Sequence, residues 1–426
     1  TTANESITTS GGDVVIWADS DSSNDGRIEV RADITTAGGD VYIGGGSSES
    51  INGLSVPSGN AITTGNNVHG VLVRGAQITT SGGDLRIRGE NISTDGYNTG
   101  VSIVDSTIMT AAGDLSLFGK RSGDSGRSAG LWLGTAIAET GGTGNVSLST
   151  TLGDINLEGV FEATADFFWS HGLVILAGGT DQVSLSSDSG NITISGDARG
   201  AADYLGEAVG LVAQMDNVGA NLNLTTDGGS IYLEGVGTKT SGHDGIALRA
   251  RDEASITIGD ADTGDIKLIM SSLQTTDRLA RAIAIENAGD VVFEGPTGAN
   301  FASAIAISDE YDFKSGIASL RIGKTTNTQN ITIDTPITIA GPISVYGGSV
   351  AMNGVLTTTN ASTGDITIVT SGLSGSSGVS LATGRSLTVT QSGDSTYSGN
   401  ISGTGSTFVK QDAGTLTLSG ASNYTG

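Results

Sequence analysis

Apolar and polar residues alternate along this chain in short bursts. In Asp84-Leu85-Arg86-Ile87-Arg88, Leu85 and Ile87 share one side and Arg86 and Arg88 the other. A period of two is that of a β-strand buried on one face. One unit carrying the pattern recurs: Ile-Thr-Thr, a turn with Gly and Asp, then an alternating strand. It reads ITTSGGDVVIWAD over 7–19, ITTAGGDVYIGGG over 34–46, ITTSGGDLRIRGE over 78–90 and IMTAAGDLSLFGK over 108–120. Degenerate copies continue as LGDINLEG (152–159), SGNITISG (189–196), GGSIYLEG (228–235), TGDIKLIM (263–270), AGDVVFEG (288–295) and TGDITIVT (363–370).

A second element precedes many of these. It opens at Gly70, Gly100, Gly130, Gly172, Gly210 and Gly245, with intervals of 30, 30, 42, 38 and 35 residues. A third strand lies between the two: Val183/Leu185 precedes Ile192/Ile194 by nine residues, and Leu222/Leu224 precedes Ile231/Leu233 by the same spacing. Three short strands per period make one coil of a parallel β-helix, in which Leu85/Ile87, Leu115/Leu117 and Ile231/Leu233 stack as apolar ladders. The chain supplies roughly a dozen such coils, a rod about 60 Å long at about 4.8 Å per coil. Variable period is accommodated if loops absorb it at one corner. The pattern loosens after about residue 323, where Pro336 and Pro342 suggest another coil type, so a β-helix over 1–323 is expected to continue over 324–426 in shorter repeats across a soft boundary.

Composition supports a thin core: 67 glycines, 4 prolines and only 4% aromatic residues. Recurrent alternation separates this from a disordered Gly/Ser linker. The net charge of −25 disfavours nucleic acid and anionic lipid as partners. Lack of cysteine suits export through an oxidising compartment, where a free thiol could pair wrongly. No apolar stretch reaches the length of a membrane-spanning helix, so direct membrane insertion is not expected. The chain begins and ends in repeat-like text and is expected to be a segment of a longer protein.

The stretch GTLTLSGASNYTG (414–426) resembles the passenger-associated repeat of bacterial autotransporters, and the GGSV, GVLTTT and GDITI phrases between 347 and 370 resemble filamentous-haemagglutinin-type exoproteins. The resemblance implies an all-β, right-handed parallel β-helix, export across an outer membrane to the cell surface or medium, and a role in adhesion, autoaggregation, biofilm or filament assembly. The implied partners are a host or bacterial surface glycan or protein, or further copies of the chain. It supplies no catalytic residue.

Catalytic motifs are not readable. His69 and His171 precede the glycine that opens a coil's first strand, and His243 lies one position earlier. Equivalent positions hold Thr99, Ala129 and Val209, so these are corner positions rather than ligands or bases. Calcium is the one cofactor the sequence raises. Asp21, Ser23, Asp25 and Gly26 match the start of an EF-hand-like loop, but Ala32 stands where the closing Glu belongs. Asp260, Asp262 and Asp265 form a second acidic turn. A polysaccharide-binding or polysaccharide-degrading β-helix is the alternative function; degradation would need paired acids on one face. Candidates are Asp252 and Glu253 near Arg249 and Arg251, and Asp309, Glu310 and Asp312. Phe161, Phe167, Phe168 and Trp169 gather in FEATADFFWSH (161–171) and could stack on sugar rings or plug a widened coil. Stacked Ile-Thr-Thr could order water as an ice-binding face, although later coils break its phase. The expectation is a non-enzymatic adhesin or stalk.

Overall fold

The computed structural model describes residues 5–18, 20–21, 26–65, 68–94, 96, 98–123, 128–135, 144–162, 170–199, 208–237, 245–274 and 280–426. Every regular element among them is a β-strand. Fourteen successive strands, from Val14–Ala18 to Thr407–Gln411, stack in parallel as the spine of one long sheet. A ten-stranded sheet from Ser6–Thr8 to Tyr311–Phe313 and an eight-stranded sheet from Ile28–Val30 to Leu273–Gln274 run beside it. The chain passes through the three in turn on each circuit, which makes a parallel β-solenoid.

Each motif of the sequence occupies its own sheet. Ile-Thr-Thr forms the ten-stranded sheet, the strand after Gly-Asp the long sheet, and the strand after the second-element glycine the eight-stranded sheet. Pairing follows the repeat without slippage: Leu85 faces Leu115, Leu115 faces Ile155, and Ile155 faces Ile192. These residues are at most 1% exposed, as are Ile87, Ile194 and Leu233 in the parallel row. Burying one such side chain contributes about 1.5–3 kcal/mol.

Circuits shorten toward the C-terminal end of the solenoid. The partner of Leu115 lies 40 residues on, at Ile155, whereas that of Ile366 lies 21 residues on, at Leu387. In the later circuits a pair of four-stranded sheets replaces the eight- and ten-stranded ones, while the long sheet continues unbroken.

The turn residues explain why the motif repeats. The last Thr of the motif is interior in the second, third and fourth copies, where Thr36, Thr80 and Thr110 are wholly buried. Thr80 Oγ1 donates to the carbonyl oxygens of Gly83 and, at 3.2 Å, of Thr110 one rung on. The Asp of Gly-Asp does the complementary work outside. Asp40 Oδ1 accepts the backbone N–H of Asp84 at 2.8 Å, Asp84 that of Asp114 at 2.9 Å, and Asp114 that of Asp154 at 2.8 Å. Each carboxylate thus satisfies a corner amide that the strand ladders leave over. Where the repeat degenerates, Asn191 Oδ1 takes the same place and accepts from Ser230 at 2.9 Å.

The second-element glycines serve close approach. A Cβ on Gly130 would lie 2.3 Å from Val160 N, and one on Gly119 would lie 2.2 Å from Gly130 O. Strands of the long and eight-stranded sheets therefore meet backbone to backbone at this seam, which only glycine permits.

One circuit departs from the three-strand rule. The strand Val41–Ile51 parts from Leu85–Asn91 after Ile43 and from Val14–Ala18 after Gly45, turns at Asn52-Gly53 and returns antiparallel as Leu54–Gly59. Ala61–Thr63 then resumes pairing with the same neighbouring strand, opposite Gly89–Asn91. Asn52 and Gly53 both have positive φ (51° and 84°), the requirement of a two-residue hairpin turn.

Candidate functional site

The three faces differ in what they offer a partner. On the eight-stranded sheet even the outward row is buried: Leu72, Ser102, Trp132, Val174, Val212 and Ala247 are in register and at most 7% exposed. Trp132 anchors this second apolar layer and donates its Nε1–H to Thr135 O at 3.0 Å. It is a packing residue.

The long sheet presents charges and rings. The Arg86 guanidinium lies 5.2 Å from the Tyr42 ring centre and that of Arg88 4.6 Å from Phe118. Arg86 also anchors the hairpin, through Glu49 at 2.6 Å and the Pro57 carbonyl at 2.6 Å. Further along, Glu294 bridges Lys267 at 2.6 Å and Arg321 at 2.8 Å, tying three consecutive rungs. Burial pushes the Glu294 carboxyl up, but the hydrogen bonds from Lys267 and Arg321 outweigh it and hold it below the usual carboxylate range. The ten-stranded sheet is the polar face: Thr107, Ser147, Ser184, Asn223 and Thr257 follow one another outward in register.

The aromatic segment divides. Phe161 points inward, fully buried with Ala198 and Ala208. A ring so enclosed packs the coil rather than meeting a ligand. Phe167, Phe168 and Trp169 lie outside the described residues.

In the first acidic turn Asp21 is exposed, and Asp25 lies outside the described residues. In the second, the three carboxylates have separate surroundings. Asp260 Oδ1 accepts from the N–H of Asp262 at 3.1 Å and from Thr263 N and Oγ1, both at 3.0 Å. Asp265 Oδ1 accepts the Asp290 N–H at 2.9 Å, continuing the ladder, and Asp262 is exposed. Among the described residues no three His, Asp or Glu side chains gather in a way that could hold a metal ion.

The candidate acids are turn residues except Asp312, which lies in the strand Tyr311–Phe313. Asp252 and Glu253 have φ of 49° and 67° and are exposed. Their neighbours point elsewhere: Arg249 Nη1 to Gln214 Oε1 at 3.2 Å, Arg251 to Asp216 at 3.3 Å. Asp309 is exposed and Glu310 buried, while Asp312 takes Arg281 at 3.0 Å and Lys314 at 2.5 Å.

The histidines sit where the internal repeat places them. His69 pairs with Thr99, Thr99 with Ala129, and Ala129 with His171. His171 Nδ1 accepts the Val209 N–H at 3.3 Å, and His69 Nδ1 lies 2.6 Å from Thr99 Oγ1. Burial lowers the His69 pKa to about 4. His243 lies outside the described residues. The chain matches no family model, no curated protein and no solved structure.

Proposed function

We propose that this chain is a non-enzymatic stalk or adhesin segment, displayed at or released from a bacterial surface, that contacts other surfaces through its sides. The observation that carries the reading is the unbroken long sheet. Fourteen stacked strands extend one body over about 60 Å, at about 4.8 Å per rung, and repeat similar outward positions at each step. Such a body gives reach, and many weak lateral contacts add up through avidity. The acidic residues fit the reading, because the recurrent Gly-Asp carboxylates hold neighbouring backbone instead of converging. The likeness of residues 414–426 to autotransporter passengers supplies the export and surface part of the proposal, and the absence of cysteine agrees with it.

The test is binding of the purified chain to arrays of surface glycans, matrix proteins and the chain itself, with and without calcium, followed by chromatography of bound glycans. The reading expects retention on one class with glycan length unchanged. Release of shortened glycan would instead establish a degrading enzyme.

A further inference from the structure

The outer face of the ten-stranded sheet is not uniformly flat. A groove of about 420 Å³ crosses three rungs, lined by Asp105, Thr107, Asn145, Ser147, Gln182 and Ser184. We infer that this groove binds a segment of a neutral glycan lying along the solenoid axis. The inference rests on the surface-contact reading above and narrows it to one face and one ligand class.

Register builds the groove. Thr107 faces Ser147 and Ser147 faces Ser184, each flanked by core residues such as Ile108, Leu148 and Leu185 that fix the strand underneath. The floor is therefore a row of hydroxyl side chains carried on strands spaced about 4.8 Å apart. Asn145 and Gln182 form one wall, held together where Asn145 Oδ1 accepts the Gln182 N–H at 2.8 Å. Ser147 and Ser184 hydroxyls are 3.3 Å apart. The side chains of Thr107 and Gln182 engage no protein group among the described residues, so a hydroxyl and an amide remain to donate and accept. Asp105, at the strand entry with φ of 49°, lines one end.

The lining chooses the ligand. Among the described residues it holds no cation, and the chain carries −25, so an anionic glycan would be repelled. Among the described residues it holds no aromatic ring, and the Val146 side chain is 2% exposed and packs into the core, so an apolar ligand gains little. Mixed donors and acceptors match sugar hydroxyls, which both give and take hydrogen bonds. The volume falls within the range of small-ligand sites, about 300–1,000 Å³.

The experiment uses the full chain with cellotetraose, chitotetraose and maltotetraose as neutral probes and tetragalacturonate as the anionic one, read by saturation-transfer NMR and calorimetry. Two variants accompany it: Ser147→Trp, which fills the groove from an outward strand position, and Gln182→Ala, both checked for unchanged circular dichroism. The expected result is saturable binding of at least one neutral probe. Ser147→Trp abolishes it and Gln182→Ala weakens it about fivefold, the loss of one hydrogen bond. Binding of no neutral probe, preference for tetragalacturonate, or equal binding by Ser147→Trp overturns the inference. Beads coated with wild type and with Ser147→Trp separate this failure from that of the broader reading. Equal adhesion by both removes the groove alone, and adhesion by neither removes surface contact itself.

Discussion

Individual side chains inside the coil bear on stability in ways that can be measured one at a time. Tyr311 is 1% exposed, lies within an aromatic cluster 6.1 Å from Phe293 and 6.3 Å from Phe313, and its hydroxyl has no hydrogen-bond partner among the described residues. An unsatisfied buried hydroxyl costs about 1–3 kcal/mol. Tyr311→Phe is therefore expected to leave the melting temperature unchanged or raise it; a clear fall would mean the hydroxyl has a partner. Glu294 gives a pH prediction. Its pKa is depressed in the folded chain, so its stabilising contribution is present above the unfolded carboxylate value of about 4.3 and is lost as pH falls through the lower folded value. The stability difference between wild type and Glu294→Gln should be constant from pH 7 to about 5 and shrink below pH 4 in urea titrations. His69 behaves oppositely to a paired histidine. With a folded pKa of about 4 against about 6.5 unfolded, it opposes folding increasingly as pH drops between those values. An NMR titration should find its ring neutral down to about pH 4.

Strands and turns show the division of labour between neighbouring rungs. Gly130→Ala would force a methyl into the backbone of the adjoining strand, 2.3 Å from Val160 N, and overpacking of this kind costs about 1–3 kcal/mol. Thr80→Val removes the bonds to Gly83 and Thr110 while keeping the shape, for an expected loss of about 1–3 kcal/mol by chemical denaturation. These positions also mark what a sequence can disclose. The ladders of Leu85, Leu115 and Ile155 are legible because strand alternation is local and the repeat supplies the register. The roles of Thr80 and Asp84 are less so, since their partners lie 30 residues on and the same letters would serve in an isolated turn. The threonines of the motif divide between two sides: Thr36, Thr80 and Thr110 face inward, while Thr8, Thr35 and Thr79 follow one another in register on the outer side until Met109 replaces them. The hairpin turns on Asn52-Gly53, but its flanks GGGSSESI and LSVPSG lack the alternation that marks the other strands. The groove is illegible in one dimension. Thr107, Ser147 and Ser184 come together only once circuits of 40 and 37 residues are aligned.

At the scale of the whole molecule, a solenoid is held by contacts between neighbours, so stability is shared along its length and falls off at the ends. Hydrogen exchange should be slowest in the middle rungs, such as Ile155–Phe161 and Ile192–Asp197, and fastest in Ser6–Thr8 and Leu416–Leu418 at the two ends of their sheets. Uniform protection along the chain would point to a single all-or-none body. The same one-dimensional construction underlies the functional proposal, because a rod with repeating sides gains grip by the number of contacts rather than the strength of any one. The most direct measurement is adhesion under flow: beads bearing the full chain at graded density, on surfaces carrying glycans, matrix proteins or the chain itself. The account predicts firm adhesion on one of these, rising more steeply than in proportion to density, with the surface chemically unchanged afterwards. Detachment at the same shear as albumin-coated beads on every surface, or attachment that ends as the glycan is cut away, would contradict it.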